Sequence, residues 1–473
     1  MLNAYKQNPV DGSFAFRANE LQGLLSNPLV ASEDLKNLAK SVDRRETAGM
    51  DDAGFNLDAL MSAMGRDAQR GAEALRLATP QTRTAAIAGM ARAIREQATP
   101  ILAANAEDQA AGRSAGLSAA MQDRLTLDAG RLEAIARSLD EVAAIADPVG
   151  VVIAQWTRPN GLDIARVRTP IGVIAMIYES RPNVTADAAA LCVRSGNAVI
   201  LRSGSECLRS ALAIHAALEQ GLVEAGLPTN CVQIVPVADR AAVGLLLAGL
   251  DGAINLIIPR GGKGLVARVK AEARAPVLGH LEGLCHIYVD ASADLPKARA
   301  IVLNGKMRRV TVCQTTETLL IDRAAAQTLL PPIAEDLIAA GCELRGDAAA
   351  QRLVPAMTPA TEEDWTTEYL APILSVALVD GVEGAIAHIR KYGSGHTDAI
   401  VAEDKTAEDA FTAGVDSAVV VVNASPQFSD GGEFGFGAEI GVATDKLHAR
   451  GPVGAEQLTI FKYVVYGAGQ TRA

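Results

Sequence analysis

Aromatic residues, histidines and cysteines are all scarce in this sequence. Among 473 residues the aromatic share is 4%, and there are 6 His and 6 Cys. The cysteines are Cys192, Cys207, Cys231, Cys285, Cys313 and Cys342, with no Cys-x-x-Cys pair. That spacing argues against a zinc-finger pattern and offers no disulfide framework, so a reducing, cytoplasmic setting is expected. No apolar run approaches the roughly 20 residues of a membrane-spanning helix. The opening, MLNAYKQNPVDGSF, lacks the basic start and apolar core of a secretory leader. Positive charge is also short: 44 Lys and Arg face 55 Asp and Glu, for a net charge of −11. An acidic surface argues against nucleic acids and anionic membranes as partners.

Apolar material is abundant, at 49% of the chain with 42 Gly. The length fits about three structural units. Residues 1–56 mix charged, turn-rich stretches with short apolar ones and are expected to be a poorly ordered extension or a subunit arm. Leu57, Leu60, Met61, Met64, Ala68 and Leu75 then recur at helical spacing, and Thr79-Pro80 reads as an N-cap and first helical position. Ile87, Met90, Ile94 and Ile101, and later Leu132, Ile135, Leu139 and Val142, continue the pattern. A turn is expected at AAGRSAG, residues 110–116. This helical opening carries little chemistry of its own. The segment VGVVIAQWTRPNGLDIARVRTP, 149–170, reads as two strands joined at Pro159-Asn160-Gly161.

From 171 onward strands and helices alternate. IGVIAMIY is apolar on both faces, and strands at 198–202, 231–235 and 254–258 are separated by helical stretches. That is the pattern of a doubly wound α/β sheet, which binds ligands at the carboxyl ends of its strands. Two such ends run into Arg202-Ser203-Gly204-Ser205-Glu206 and Arg260-Gly261-Gly262-Lys263-Gly264. Glycines ahead of a helix start let backbone amides approach a phosphate, although neither run has strict Gly-x-Gly-x-x-Gly spacing. Beyond 280 the expected elements are a strand at HIYVD, helices at 295–307, 324–340 and 382–392, and strands at 374–379, DAIVA and AVVVV. A glycine-rich loop, 429–454, and a terminal strand, LTIFKYVVY, complete the chain.

Cys313 lies where the β-rich run Val310-Thr311-Val312 gives way to polar residues, with Arg308 and Arg309 just upstream. Nearby cations raise a thiol's thiolate fraction, which suits a nucleophile. The alternative is a small buried hydrophobe.

A cysteine in this setting, behind a two-glycine cofactor unit, resembles the aldehyde dehydrogenase superfamily. YESRPNVTADAAALCVRSGNAVILRSGSE, IPRGGKGL, CHIYVD, Cys313-Gln-Thr-x-Glu-Thr-Leu-Leu, DGGEFGFGAE and KLHARGPVG are similar to the γ-glutamyl phosphate reductase family, from about residue 57 to the end. The resemblance implies an α/β, aldehyde-dehydrogenase-like fold with a doubly wound cofactor domain. On that basis 57–148 and 171–278 are the NADP-binding domain, 279–450 the α/β catalytic domain, and 149–170 with 451–473 a small oligomerisation β-element. It implies NADPH-dependent reduction of L-glutamyl 5-phosphate to L-glutamate 5-semialdehyde, with release of phosphate, in proline biosynthesis. Cys313 would form a thioester, and Asn183 with the Cys313 backbone N–H would hold the oxyanion. Asn183 also suits a helix N-cap. Arg202 and Ser203 would receive the cofactor's ribose phosphate, Gly261 and Gly262 its diphosphate, and Glu368 its nicotinamide ribose. Arg181, Arg308, Arg309, His448 and Arg450 are candidates for the substrate's anionic groups, and no metal is implied.

One departure from the superfamily stands out. Hydrolytic members carry a water-activating glutamate where this chain has His280, in His280-Leu281-Glu282-Gly283. That favours an acyl-phosphate route, unless a loop carries Glu282 into place. Two alternatives stay open: a hydrolytic NAD(P)-dependent dehydrogenase, and a non-catalytic partner of a glutamate kinase. A homodimer or homotetramer is expected, because exposed edge strands need covering.

Overall fold

The computed structural model describes residues 56–472. The expected extension at 1–56 lies almost wholly outside them. Five helices open the described chain, Leu57–Leu77, Pro80–Glu96, Ala98–Ser114, Ala119–Leu125 and Ala129–Ala144. Thr79 caps the second, its hydroxyl accepting from the Thr82 N–H at 3.1 Å, with Pro80 at the first helical position. The stretch expected to turn at 110 instead stays helical through Ser114, and the chain breaks at Gly116, where φ is +74°.

Strands β1 (Val152–Thr157) and β2 (Asp163–Pro170) form the expected antiparallel hairpin. Its turn closes with the Gly161 N–H on the Arg158 carbonyl, and Gly161 supplies the positive φ, +84°, that the turn requires.

The cofactor sheet follows. Its strands are β3 (Val173–Tyr178), β4 (Ala198–Arg202), β5 (Val232–Ile234) and β6 (Leu256–Arg260), parallel, in the order β5-β4-β3-β6. The order reverses between β3 and β6, which opens a ligand crevice at their carboxyl ends. β3 is buried along its whole length because both faces are covered. Ile174, Met176 and Tyr178 pack under Ile87, Met90, Leu139 and Leu218. Val173, Ala175 and Ile177 pack under Met61, Met64 and Leu246. Helices Asn183–Arg194, Leu208–Glu224 and Ala241–Leu247 make the three crossovers, and Lys263–Glu272 follows β6.

The catalytic sheet has seven parallel strands. They are β7 (Cys285–Val289), β8 (Thr316–Asp322), β9 (Glu343–Gly346), β10 (Thr358–Pro359), β11 (Ile373–Val379), β12 (Thr397–Val401) and β13 (Val419–Val422), ordered β10-β9-β11-β8-β7-β12-β13. Two apolar clusters flank it, one around Ile287, Leu319, Ile321 and Leu330, the other around Tyr288, Leu320 and Phe411. The glycine-rich loop contains a two-residue ladder, β14 (Val442–Ala443) with β15 (Gly451–Pro452). Strand β16 (Thr459–Tyr466) then pairs antiparallel with β2, so hairpin and terminal strand form one three-stranded sheet. Short β9, helix Ala348–Leu353 and helix Lys405–Gly414 carry too few apolar residues to stand out in the sequence.

One expectation is corrected. Val310, Thr311 and Val312 are not a strand end. Helix Leu295–Met307 must reverse into β8, which begins at Thr316, and the intervening residues form turns, with the Thr315 N–H on the Val312 carbonyl at 3.0 Å. Cys313 therefore precedes its strand. The β propensity of Val-Thr-Val yields to the need for a tight reversal.

Candidate active site

The loop that carries Cys313 is fastened at both ends. Lys306, at the end of helix Leu295–Met307, meets Glu317, at the start of β8, with Nζ 2.5 Å from Oε2 and both side chains buried. Glu317 Oε1 accepts from the Leu370 N–H at 3.3 Å, which ties the Glu368–Leu370 segment to the same pair. Inside the loop, buried Gln427 donates from Nε2 to the carbonyls of Gly305 (3.0 Å) and Arg309 (3.3 Å), and the Thr315 hydroxyl donates to Arg309 O at 2.7 Å. Gly283 passes so close that a Cβ there would lie 1.9 Å from the Cys313 carbonyl oxygen, so only glycine fits.

Cys313 is half-buried, its Sγ 3.5 Å from Gln314 Oε1. Two imidazoles flank it. The ligating atoms of His280, Cys313 and His396 lie within 4.8 Å of one another, and the two rings meet edge to face at 5.0 Å. His280 donates from Nδ1 to the Val442 carbonyl at 2.7 Å, which leaves Nε2 for the thiol. His396 is fully buried, with Nδ1 at 2.9 Å from Thr397 Oγ1 and Nε2 without a hydrogen-bond partner. Burial opposes ionisation of Cys313, but His396 and His280 outweigh it and hold the thiol well below its ordinary range. Burial also opposes the His280 imidazolium. There the Cys313 thiolate and the Val442 carbonyl win, and the net shift is upward. The two groups thus favour each other's charged forms.

Asn183 opens helix Asn183–Arg194. The N-cap is Pro182, so the capping alternative for Asn183 does not hold. Its Nδ2 donates to Asp187 at 3.0 Å, which fixes the amide and leaves its second N–H for an oxyanion. Burial pushes the Asp187 carboxyl up to about 6. Glu368 accepts from the Gly283 N–H at 2.9 Å, and burial, with the Cys313 thiolate adding to it, raises its carboxyl.

Cations lie within electrostatic reach of the thiol. Arg181 is half-buried, and burial together with neighbouring Arg260 and Arg124 pulls its guanidinium down to about 10, with Arg309 adding to the effect. No ion pair among the described residues engages Arg124, Arg181, Arg260 or Arg309. Three further guanidinium groups acting on Arg181, none of them in an ion pair, suit an anion. Arg124 comes from helix Ala119–Leu125, so the helical opening does contribute chemistry. Glu439 stands nearby on the glycine-rich loop, accepting from the Gly431 N–H at 3.0 Å. Burial pushes its carboxyl up to about 7 against the pull of Arg260.

The remaining sequence candidates hold partners within the chain. Arg450 is engaged by Asp416 (2.8 Å) and by the Thr444 carbonyl (3.2 Å). His448 donates from Nε2 to the Gln457 carbonyl, and Arg308 to Gln427 at 3.3 Å. Glu282 pairs with Lys263 at 2.7 Å. His396, Gln427, Arg124, Arg260 and Glu439 were not anticipated as site residues. With only six histidines in the chain, Gly-His-Thr-Asp at the start of β12 was the available signal for His396.

At the cofactor crevice, Arg202 ends β4 and donates to the carbonyls of Ser203 (2.7 Å) and Ala238 (3.1 Å). Its Nε and the Ser203 hydroxyl are buried without partners, so both are available to a phosphate. Glu206 accepts from the Ser180 N–H and hydroxyl, each at 2.7 Å, and its charge is felt at Arg202. The Gly262 N–H, at the start of helix Lys263–Glu272, donates to Glu179 at 2.9 Å, so this helix start already attracts an anion.

The aldehyde dehydrogenase family model matches residues 56–348. A γ-glutamyl phosphate reductase from Caulobacter vibrioides is 72% identical over 412 residues, covering 87% of this chain and 100% of the relative. One from Rhodopseudomonas palustris is 60% identical, over 89% of this chain and 98% of the relative. The crystal structure of γ-glutamyl phosphate reductase from Thermotoga maritima superposes with a TM-score of 0.85 at 42% identity, over 87% of this chain and 100% of that one. This chain belongs to the aldehyde dehydrogenase family, in its γ-glutamyl phosphate reductase branch.

Proposed function

We propose that the chain reduces L-glutamyl 5-phosphate to L-glutamate 5-semialdehyde with release of phosphate, a step of proline biosynthesis and the activity for which its relatives are named. The observation that carries this reading is Cys313 Sγ set within 4.8 Å of a His280 and a His396 nitrogen, beside Arg181, whose guanidinium feels the thiol's charge and joins no ion pair among the described residues.

The Cys313 thiolate attacks the acyl carbon, the C–O bond to phosphate breaks, and a thioester forms. The Asn183 amide and the Cys313 backbone N–H are assigned to the developing oxyanion. Such donors contribute on the order of a hundredfold each. Arg181 and Arg309, with Arg124 and Arg260, are assigned to the phosphate and α-carboxylate, and Glu439 to the α-ammonium. The family uses NAD(P), and a dinucleotide held in the cofactor crevice would supply the hydride that takes the thioester to the aldehyde level. Departure of the Cys313 thiolate, again paired with His280 and His396, then frees the semialdehyde.

Arg202 Nε and Ser203 Oγ favour NADP over NAD, because both suit a 2′-phosphate. Gly261, Gly262 and Glu368 are assigned to the diphosphate and the nicotinamide ribose. Among the described residues no helix is long and apolar enough to cross a membrane. We place the enzyme in the cytoplasm, where its thiols stay reduced. Its three-stranded sheet exposes Val152, Trp156, Ile460, Tyr463 and Val465, and is assigned to a homodimer or homotetramer contact. A glutamate kinase is a further candidate partner, since acyl phosphates are labile in water.

The test is the reverse reaction. Semialdehyde and NADP are supplied with and without inorganic phosphate, and NADPH is followed by absorbance. Turnover that depends strictly on phosphate is expected. Turnover without phosphate would mean a hydrolytic dehydrogenase. Dinucleotide binding without turnover would mean the non-catalytic alternative.

A further inference from the structure

We propose that the thiol pocket also binds a borderline-soft divalent cation, zinc above all, and that the bound metal switches the enzyme off by occupying its nucleophile. Cys313 Sγ and one nitrogen each of His280 and His396 lie within 4.8 Å of one another. Zinc held by one sulfur and two nitrogens needs those atoms about 3.3–3.6 Å apart, from bond lengths of about 2.3 and 2.0–2.1 Å. A side-chain rotation of roughly an ångström closes that gap.

Three further features match a metal site. The His280 Nδ1–H is bound to the Val442 carbonyl at 2.7 Å, the second-sphere contact that metal-bound histidines ordinarily make. His396 is fully buried, and its Nε2 has no hydrogen-bond partner. Its other nitrogen is held by the Thr397 hydroxyl at 2.9 Å. A sulfur and two imidazoles select zinc or cobalt over magnesium and calcium, which take oxygen donors. The surrounding charges are mixed. Arg181 and Arg260 oppose a dication, whereas Glu368 and Glu439 favour it. The fourth position stays open to water. Binding requires loss of the thiol proton and of any proton on the ligating nitrogen of each imidazole, so it occupies the groups that the reaction uses.

Metal binding itself does not rest on the reductase reading; only the loss of activity does. The full chain, stripped of metal with a chelator, is titrated with zinc in competition with a chromophoric chelator. One zinc per chain is expected, with affinity falling more than tenfold in Cys313→Ser and in His396→Asn. Cobalt(II) added to the unaltered chain should give a thiolate-to-cobalt charge-transfer band that disappears after alkylation with iodoacetamide. The other five cysteines are buried, so alkylation reports on Cys313. In the reverse assay zinc should abolish turnover, and excess chelator should restore it. Absence of the cobalt band, or equal zinc affinity in both variants and the unaltered chain, overturns the site. Zinc bound at one per chain with turnover unchanged overturns the switch.

Discussion

The cofactor crevice and the thiol pocket are built in opposite ways. The crevice is local. Arg202 and Ser203 are consecutive residues at the end of β4, and Gly261 and Gly262 follow β6 directly. The parallel sheet places both ends on one edge with only β3 between them, and each needs only its own strand and turn. The pocket is assembled from distant parts. Cys313 sits in a pinned loop, His280 ahead of β7, His396 at the start of β12, Arg124 on an opening helix and Glu439 on the glycine-rich loop. A locally encoded site should lose only its own function when altered, whereas a pocket gathered from many segments should lose charge balance or stability as well.

The largest effect is expected from Cys313→Ala, which should lower turnover by about a thousandfold or more while leaving dinucleotide affinity intact. Equal loss of dinucleotide binding, read by fluorescence titration, would erase the contrast between the two sites. Lys306→Met comes next. It leaves Glu317 buried and unpaired between the two ends of the catalytic loop, at a cost of about 3–5 kcal/mol in denaturant unfolding.

A smaller effect, dependent on pH, is expected for His280→Asn and His396→Asn. An ordinary thiol ionises near pH 8.5, and its reaction with iodoacetamide falls about tenfold for each unit below that. Cys313, held well below that range, should stay reactive through pH 7. Each variant removes a partner that favours the thiolate, so its profile should move to higher pH, with a loss of about 10–100-fold near pH 6.5 and little loss at pH 9. The smallest effect is expected at the crevice. Arg202→Ala should raise the KM for NADP about tenfold, leave that for NAD nearly unchanged, and spare alkylation of Cys313.

Those differences also explain what the sequence made legible. The alternation of β3 to β6 with their helices was readable because each strand is a short apolar run between turn residues, and AVILR matches β4 residue for residue. The hairpin was readable from Pro159-Asn160-Gly161. The resemblance grouped the terminal strand with the hairpin but did not specify its pairing with β2, since nothing local links strands so far apart in the chain. Val310-Thr311-Val312 misled because composition there favours a strand, while the path from helix to β8 demands turns. His396 and Arg124 were invisible locally: a histidine beginning one strand and an arginine ending one short helix become neighbours of Cys313 only once the layers pack. Arg450 and His448 drew notice because they lie in a long loop, and their donors hold Asp416 and backbone carbonyls.

The central claim is that the unpaired arginines beside the thiol make this a phosphate-using enzyme, and Arg181→Gln tests it most directly. In the reverse reaction the KM for inorganic phosphate should rise more than tenfold, with the KM for NADP unchanged. An unaltered phosphate KM, or a loss confined to NADP, would contradict the account.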